Sequence, residues 1–300
     1  LKAKEVSAAN PQPQLELRSQ LGDDPDLQVD VNVKTTFLEA LWINMAEEPW
    51  TDKPVRQALA YSIDRDAVVT ALFGDLGVES ASQSLIQPAA ELYVTDAFST
   101  YTRDLAKVDE LMTGAGWAKN GDGFWEKDGT VAEVLIATTE GNQRRETTQD
   151  AMQAQLEEAG FKMSPDNSDA ATLFGERGPA SDFKVSLWAT VGTQSPEYCA
   201  LFCTKNIPGP ENDNAGQNWT QTSVAALDEV LEAAEEELDE ELRIEQYATA
   251  QDIMAEEVVA IPIDPLPEIA FHYPRLVTGP IGPNAVNSLY WTLNVWVLVG

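Results

Sequence analysis

Carboxylates dominate the side chains of this sequence that could perform chemistry. It contains 50 Asp and Glu residues but a single histidine, His272. A Ser–His–Asp catalytic triad would have to use that histidine, which stands in the segment AFHYPRL between an apolar stretch and a proline. A lone histidine in such a setting is far more often structural than catalytic, so we predict no catalytic histidine.

Paired carboxylates are the catalytic device that the composition leaves open. Glycoside hydrolysis needs two carboxyl groups that the fold brings together, and spacing along the chain does not reveal such a pair. The sequence lacks the G-x-G-x-x-G, P-loop, G-x-S-x-G and H-E-x-x-H motifs. We therefore predict a protein that is not an enzyme and has no catalytic residue and no cofactor. The alternative is a secreted hydrolase that uses clustered carboxylates.

Two cysteines, Cys199 and Cys203, are the only thiols in the sequence. In an exported protein, a lone nearby pair suggests a short loop closed by a disulfide. Successive turns of a regular helix do not hold two cysteines in disulfide geometry, so the bond requires a local departure from helix. Two thiols and one histidine leave a zinc shell incomplete. We therefore favour a disulfide and predict no metal site.

The net charge of −31 restricts the partners of this protein. So acidic a surface repels a phosphate backbone, which argues against nucleic acid. No apolar stretch approaches the length that spans a bilayer. The start at Leu1 lacks the basic and apolar regions of a signal peptide. We expect export information and an N-terminal part to lie outside this chain, and membrane contact to occur only through an anchor there.

Strand-like and helical patterns alternate along the chain, which is typical of an α/β fold. A hairpin is predicted with Asp128-Gly129 at its turn, so the sheets should be mixed rather than purely parallel. Residues 190–220 have no clear pattern, and so long an irregular run is usually functional. Helices are predicted over 51–73 in two parts, 104–115, 142–160, 224–238 and 240–257. Strands are predicted over 31–45, 161–164, 183–189, 258–264 and 288–299.

One block of motifs resembles the family 5 extracellular solute-binding proteins, which serve ABC importers of oligopeptides, dipeptides and nickel. It combines Asn44, the pair Pro49-Trp50 and Asp52 with the helical motifs Val55–Leu59 (VRQAL) and Ile63–Arg65 (IDR). Four later blocks match family segments in the same order: LAKVDELMTGAGW, TTQDAMQAQLEEAGFKM, the stretch from NWTQTS to AIPI, and NSLYWTLNVW. The resemblance covers roughly residues 35–300, and agreement in order is harder to explain by chance than one motif.

The resemblance implies a two-lobed, class II periplasmic-binding-protein-like fold with mixed sheets. The second lobe should be complete and the first only partial. Residues 1–34 should form a connector and a partial first-lobe strand, 35–257 the second α/β lobe, and 258–300 the return to the first lobe. The absent part would include one wall of the ligand cleft, so we expect this chain alone to bind weakly or not at all.

The function implied is that of an extracytoplasmic solute-binding component, monomeric and periplasmic or lipid-anchored at the outer face of the membrane. It would capture a small ligand, with an oligopeptide as the leading candidate, and deliver it to ABC permease subunits. A non-transport sensor or chaperone on the same fold is a further alternative.

The ligand site implied by the resemblance follows the pattern W-x-x-D-x-x-x-P, whose Asp pairs with the ligand's α-amino group. This sequence keeps Trp188 and Pro196 but has Val191 in place of that acid. An unpaired buried ammonium is costly, so either Asp264 replaces the acid or the ligand presents no free amine there. The candidate ligand-binding residues are Trp188, Thr190, Thr193, Gln194, Ser195 and Asp264.

Several of these residues have a simpler interpretation. Trp188 ends an apolar strand and can be a core residue. Thr193 and Ser195 can cap the following turn. Asp264 precedes a proline, which is a common turn pair.

Overall fold

Capping side chains mark where the main helices begin. Asp64 accepts a hydrogen bond from the Ala67 backbone N–H at 2.9 Å, and Asp104 does the same for Lys107 at 3.0 Å. Such acceptors satisfy N–H groups that have no partner inside the helix. The computed structural model describes residues 1, 3, 5–13, 21, 24–274, 277–278 and 289–298. In this part of the chain the helices are α1 (Lys53–Ser62), α2 (Arg65–Phe73), α3 (Leu105–Gly114), α4 (Gln143–Glu158), α5 (Ala170–Thr172), α6 (Cys199–Phe202), α7 (Ala225–Glu236) and α8 (Glu240–Glu257).

A mixed sheet of five strands forms the centre of the fold. Its strands lie in the order β10-β3-β9-β7-β8, where β7 runs parallel to both of its neighbours and the other two pairings are antiparallel. This confirms the prediction of an α/β fold with mixed sheets. The strands are β3 (Phe37–Ile43), β7 (Glu133–Ala137), β8 (Lys162–Pro165), β9 (Val185–Val191) and β10 (Ala260–Asp264).

The pairing of β3 with β9 is the longest in this sheet, with seven residue pairs from Phe37↔Val191 to Ile43↔Val185. Six of the seven residues of β3 are buried, as are the first four of β9. Strands that are covered on both faces have nearly continuous apolar sequences, which is how FLEALWI and VSLWATV read. Helices α1, α4, α7 and α8 contribute side chains such as Leu59, Leu156, Leu231 and Met254 to the same core.

Three smaller sheets surround the central one. The three-stranded sheet β1-β11-β2 is antiparallel and contains the first strands of the chain and a strand near its end. The hairpin at Asp128-Gly129 is confirmed, because both residues have positive φ and join β5 to β6. The remaining strands are β1 (Ala8–Ala9), β2 (Gln28–Asn32), β4 (Ala118–Lys119), β5 (Trp125–Lys127), β6 (Thr130–Val131), β11 (Glu268–His272), β12 (Val277–Thr278) and β13 (Val297–Leu298).

Two short segments carry the chain between the β1-β11-β2 sheet and the central sheet. Residues 33–36 join β2 to β3, and residues 265–267 join β10 to β11. We call them the crossing segments. They are tied together, because the Thr35 hydroxyl donates a hydrogen bond to the Pro265 carbonyl oxygen. The sheet pairing keeps the chain in the central sheet through Asp264. The lobe boundary expected at residue 258 stays a prediction.

The structure corrects three local predictions. The strand predicted over 31–45 is two strands in different sheets, because the first crossing segment interrupts it. The predicted C-terminal strand is wrong over Leu289–Val295, which forms a 3₁₀ helix, and leaves Val297–Leu298 as the only described strand residues there. The helix predicted over 224–238 ends at Glu236, so Leu238 lies beyond it and is 93% exposed.

Cys199 and Cys203 form a disulfide, with their Cα atoms 4.6 Å apart. The short helix α6 contains Cys199 and ends at Phe202, and Cys203 has extended backbone with ψ of 139°. The chain therefore leaves helical geometry at the second cysteine. Within the described residues, no helix is both long enough and apolar enough to cross a bilayer.

Gly160, just after α4, provides a test of local packing. Its φ is +93°, and a Cβ added there would lie 2.8 Å from Trp125 Nε1, the atom that donates a hydrogen bond to the Ala159 carbonyl oxygen. Gly141 has a similar φ of +75° but nothing within 4 Å. We expect Gly141→Ala to lower the free energy of unfolding by about 1–2 kcal/mol through backbone strain alone.

For Gly160→Ala we expect a further loss of roughly 1–3 kcal/mol, because the methyl group displaces the Trp125 ring. Chemical denaturation of both variants, monitored by tryptophan fluorescence, measures the difference. Equal losses in the two variants would contradict the tight contact at Gly160.

Candidate ligand-binding site

The carboxyl end of β9, Ala189–Val191, forms a wall shared by three cavities. A charged cavity of about 450 Å³ lies on the face of the sheet toward which Ala189 and Val191 point. A tryptophan cavity of about 310 Å³ lies on the opposite face, beside Trp188 and Thr190. A loop cavity of about 170 Å³ lies beyond the end of the strand and also includes Val191.

The lining residues of these cavities come from many elements. The charged cavity is lined by Asn10, Pro11, Gln12, Pro13, Phe37, Asn142, Arg144, Arg145, Ala189, Val191, Leu266, Pro267 and Glu268. The tryptophan cavity is lined by Trp42, Phe174, Trp188, Ala189, Thr190, Leu201, Gln217, Trp219 and Thr220. The loop cavity is lined by Gln87, Val191, Gly192, Thr193, Ser195, Pro196, Glu197, Tyr198, Ala200, Leu201 and Gln217.

A cluster of four buried charged residues lies at the charged cavity. Glu39 on β3 and Asp264 on β10 are cross-strand partners, and both are fully buried. The first turn of α4 places two guanidinium groups against Glu39. Arg145 Nε donates to Glu39 Oε1 at 2.6 Å, and Arg144 Nη1 pairs with Glu39 Oε2. The arginines compensate for two carboxylates that would otherwise face each other without neutralisation.

Asp264 binds its proton more tightly than an ordinary aspartate. Burial and, to a smaller extent, the neighbouring negative charge of Glu39 raise the pKa of its carboxyl group to about 7, against the opposing effects of Arg144, the Leu266 N–H and Arg145. Asp264 Oδ1 accepts that N–H at 2.8 Å, whereas its buried Oδ2 has no hydrogen-bond partner among the described residues. The carboxyl group therefore keeps its proton below about pH 7 and is divided between its protonated and ionised forms near neutral pH.

Aromatic rings enclose the tryptophan cavity. Trp188 is 6% exposed and makes edge-to-face contacts with Phe174 and Trp219, with ring centroids 5.8 and 5.9 Å apart. Trp42 Nε1 donates a hydrogen bond to the Trp188 carbonyl oxygen at 2.9 Å, which ties β3 to β9 behind the cavity. Phe174 lies on a single turn of π-helix, Leu173–Arg177, a feature often found at functional sites. The arrangement suits an apolar or planar group.

The loop after β9 is held by two buried tyrosines. The Tyr247 hydroxyl donates to the Pro196 carbonyl oxygen at 2.6 Å. The Tyr198 hydroxyl donates to the Leu85 carbonyl oxygen at 2.7 Å and accepts from the Gln87 N–H at 3.2 Å. Burial raises the pKa of Tyr198 well above its ordinary range, so the hydroxyl stays protonated. The disulfide begins at the next residue, so the C-terminal part of the loop is held at three neighbouring positions, 196, 198 and 199.

The six residues predicted from the sequence do not converge on one cavity. Trp188 and Thr190 line the tryptophan cavity, and Thr190 Oγ1 also accepts a hydrogen bond from Gln87 Nε2 at 3.2 Å. Thr193 and Ser195 are exposed, line the loop cavity and hydrogen-bond each other in a turn. Gln194 is exposed and is not among the described lining residues of the three cavities. Asp264 is fully buried and is likewise absent from that lining.

Sequence reasoning missed the charged cluster and most of the aromatic wall. Arg144-Arg145 is the only pair of adjacent basic residues in a chain that has 19 Lys and Arg residues. Glu39 interrupts the apolar run FLEALWI, and such a charge in a buried strand requires a partner. These two sequence features could have predicted the charged cluster. The proximity of Trp42, Phe174 and Trp219 could not be read from the sequence, since they lie on separate elements.

His272, the only histidine, lies away from these cavities. It ends β11 and is 5% exposed. Burial lowers the pKa of its imidazole, and its Nδ1 lies 3.5 Å from Asp30 Oδ2. This setting fits a structural residue.

Comparison with known proteins identifies the family of this chain. Residues 1–207 match the family of bacterial extracellular solute-binding proteins, family 5, middle region. The chain belongs to this family. It is 25% identical over 236 residues to the oligopeptide-binding protein AppA of Bacillus subtilis, an alignment that covers 77% of this chain and 42% of AppA.

Solved structures of family 5 proteins have the same fold. AppA from B. subtilis, in complex with a nonapeptide, superposes with a TM-score of 0.83 at 20% identity and covers 100% of this chain and 57% of that protein. NikZ from Campylobacter jejuni, in complex with Ni(L-His), superposes with a TM-score of 0.77 at 22% identity and covers 98% of this chain and 58% of NikZ. The fold is therefore that of the two-lobed periplasmic binding proteins. The chain spans about half the length of these relatives.

The raised pKa of Asp264 leads to a pH-dependent stability. The native state holds this proton more tightly than the unfolded chain, whose aspartate pKa is about 3.9. The resulting stabilisation is present below that pH and is lost as the pH rises toward 7. We expect Asp264→Asn, which has no such proton to lose, to reduce the fall in stability between pH 5 and pH 8 by a few kcal/mol.

Denaturant unfolding at several pH values measures this effect as the difference between wild type and variant. Glu39→Gln is the comparison variant, because it removes the ionised partner of two buried arginines. This variant should lower the free energy of unfolding by about 3–5 kcal/mol. An unchanged pH slope in Asp264→Asn would contradict the assignment.

Proposed function

We propose that this chain is part of an extracytoplasmic solute-binding protein that captures a small ligand between two lobes and presents it to an ABC importer. One observation carries the proposal. Three cavities meet at the carboxyl end of β9, and both crossing segments lie next to this end. The first crossing segment precedes Phe37, which pairs with Val191. The second contains Leu266 and Pro267, which line the charged cavity. A ligand at this edge would contact residues on both sides of the crossing.

An oligopeptide is the leading ligand class. The support comes from the oligopeptide-binding relative AppA and from its nonapeptide complex. The cavities also suit peptides, because apolar walls with a few polar groups are typical of small-ligand sites. In this proposal, Trp188, Thr190, Thr193, Gln194 and Ser195 remain the ligand-contacting candidates from the sequence. Asp264 has a different role, as a buried member of the charged cluster.

The ligand's amino group is not bound by an acid at position 191. Val191 is 68% exposed and lines two of the cavities. Asp264, the proposed replacement, is fully buried and its raised pKa makes it a poor counter-ion for an ammonium group. We therefore propose a ligand that is recognised mainly through other groups, so a free amine is not required.

The protein acts by binding and release, not by catalysis. The close carboxylate pair Glu39 and Asp264 belongs to a buried ion cluster, in which Glu39 is bound by two arginines. We further propose an exported monomer at the outer face of the membrane, held there by a lipid anchor or free in the periplasm.

Calorimetry of the full-length protein tests this function. A random-sequence peptide mixture and nickel chelates are titrated into ligand-free protein, and small-angle scattering follows the radius of gyration. We expect peptide binding with closure of the two lobes. Absence of both binding and closure across these ligands would contradict the transport function.

Substitution at position 191 tests the missing acid. We expect wild type to bind a peptide and its N-acetylated form with similar affinity. Val191→Asp should create a preference of roughly tenfold or more for the free amine, because a charge-assisted hydrogen bond contributes about 1.5–3 kcal/mol. Titration calorimetry with the matched peptides measures the ratio.

Val94→Asp is the control for added negative charge, since Val94 is 41% exposed and lies outside the lining of the three cavities. This variant should show no preference. A strong preference for the free amine in the wild-type protein would overturn the interpretation of Val191.

A further inference from the structure

The second crossing segment contains a strained residue between two prolines. The rings of Pro265 and Pro267 fix their own φ angles, so the backbone freedom of the segment lies mainly at Leu266. The φ of Leu266 is +40°, in the left-handed region that a bulky side chain rarely adopts. Such a conformation persists only where the surrounding structure imposes it. The contacts of this residue therefore determine how the chain passes from the central sheet to the β1-β11-β2 sheet.

Two buried side chains impose this conformation. Asp264 Oδ1 accepts a hydrogen bond from the Leu266 N–H at 2.8 Å, in the kind of turn in which an aspartate bonds the backbone two residues further on. The Thr35 hydroxyl, in the first crossing segment, donates to the Pro265 carbonyl oxygen at 2.5 Å. Asp264 is fully buried and Thr35 is 2% exposed. A change in the charge of Asp264 thus acts directly on the second crossing segment.

Open space lies on both sides of the crossing segments. Leu266 and Pro267 line the charged cavity. A further cavity, of about 570 Å³, has Val33, Lys34 and Pro265 in its lining. A densely packed interior resists displacement, but a segment that lies between two cavities can shift without overlapping neighbouring atoms. The crossing segments are thus able to move when a ligand fills the charged cavity.

The carboxyl group of Asp264 stands among charges of both signs. Burial is the largest cause of its raised pKa, the charge of Glu39 on β3 adds to it, and Arg144 and Arg145 on α4 oppose it. Glu268 on β11 also carries a titratable group and lines the charged cavity. Asp264 Oδ2 is buried without a hydrogen-bond partner in the part of the chain that the structure describes. A negative charge on Asp264 is therefore unfavourable in the folded protein.

A ligand in the charged cavity makes this charge still less favourable. Leu266, whose N–H binds Asp264, lines the cavity, so a ligand there displaces water close to the carboxyl group. Loss of water disfavours the ionised form, and the lower local dielectric constant strengthens the repulsion by Glu39. The bound protein should therefore hold the proton of Asp264 more tightly than the ligand-free protein does. By linkage, the proton favours the bound state to the same extent.

We propose that Asp264 is a proton-linked positioning residue, whose uncharged form holds the second crossing segment in the ligand-bound arrangement, so that ligand capture takes up a proton. This inference rests on the proposed function, because it describes how affinity at the same site is regulated. Asp264 acts through Leu266 and not by touching the ligand. Because the bound protein has the higher pKa, affinity is constant below the pKa of the ligand-free protein, about 7, and falls as the pH rises above it.

Titration calorimetry of the full-length protein tests the proposal. The probe is a random-sequence hexapeptide mixture without histidine and cysteine, and its own titration is the same for every form of the protein. Between about pH 6 and pH 8.5, we expect the wild-type affinity to fall roughly 3- to 10-fold more than that of Asp264→Asn, since one pKa unit corresponds to a tenfold change. Binding heats near pH 7.5, in buffers of different ionisation enthalpy, should show that the wild type takes up more protons, by a fraction of one.

Further variants separate the proton from the structural role. Asp264→Ser has a hydroxyl that can also accept the Leu266 N–H and has no titrating group, so it should match Asp264→Asn. Thr35→Val removes the hydrogen bond between the crossing segments and should weaken binding at every pH, with the wild-type pH dependence retained. Asp104→Asn is the matched control. Asp104 also accepts a backbone N–H, that of Lys107 at 3.0 Å, but is exposed and lies outside the lining of the cavities, so this variant should behave as the wild type.

The outcomes distinguish the inference from the proposed function. Equal pH dependence and equal proton uptake in the wild type and in both Asp264 variants would overturn the inference and leave the proposed function intact. A wild-type affinity that rises with pH relative to the variants would also overturn it, because the ionised form would then favour binding. Failure of the peptide mixture to bind the wild type at every pH would instead reject the peptide-binding function, and the inference with it.

Discussion

The antiparallel pairing of β3 with β9 organises both the core and the candidate site. Because Phe37 pairs with Val191, the first residue of one strand and the last of the other lie at the same edge of the sheet. The crossing segment before β3 therefore borders the end of β9. Side chains alternate across a strand, so the same three residues of β9 form walls of cavities on both faces. A shift of one residue in this register would exchange the two sets of side chains.

Burial of Glu39 imposes a second constraint on this edge. A fully buried carboxylate is tolerated when it is paired and hydrogen-bonded, and α4 supplies both partners from consecutive residues in its first turn. Asp264 completes the cluster by retaining a proton more readily than an ordinary aspartate. The cluster lies beside the crossing segments, so the same charges that hold α4 against the sheet also determine the electrostatics of the cavity. The side chains that stabilise the packing of α4 thus also set the charge of the cavity wall.

The loop after β9 shows how an irregular segment becomes a defined surface. Tyr198, in the loop, donates to the Leu85 carbonyl oxygen, Tyr247 donates to the Pro196 carbonyl oxygen, and the disulfide closes the turn that follows. Loops that a rigid scaffold positions in this way commonly carry ligand contacts. Here the hydroxyl of the exposed Thr193 accepts the Ser195 backbone N–H in a turn, so the simpler role of Thr193 as a capping residue is present whether or not it also touches a ligand.

Much of the fold could be predicted from the sequence because its signals are local. Capping residues and apolar periodicity mark α4 and α8 to within two residues, and the Asp-Gly turn identifies the hairpin at residues 128–129. The C-terminal segment was mispredicted because strand propensity depends on context. The helix predicted over 224–238 was two residues too long because Leu238, beyond the end of α7, still matches the helical period.

The sequence by itself determined the family, through ordered motifs, and the absence of an acid at position 191, through a single aligned position. Tertiary structure decided where the charges meet. Glu39, Arg144 and Asp264 stand far apart in the sequence, and the raised pKa of Asp264 arises from burial and from Glu39, both of which exist only once β10 pairs with β3. The ion pair of Arg144 with Glu39 has the same origin, because α4 meets β3 only in the folded chain.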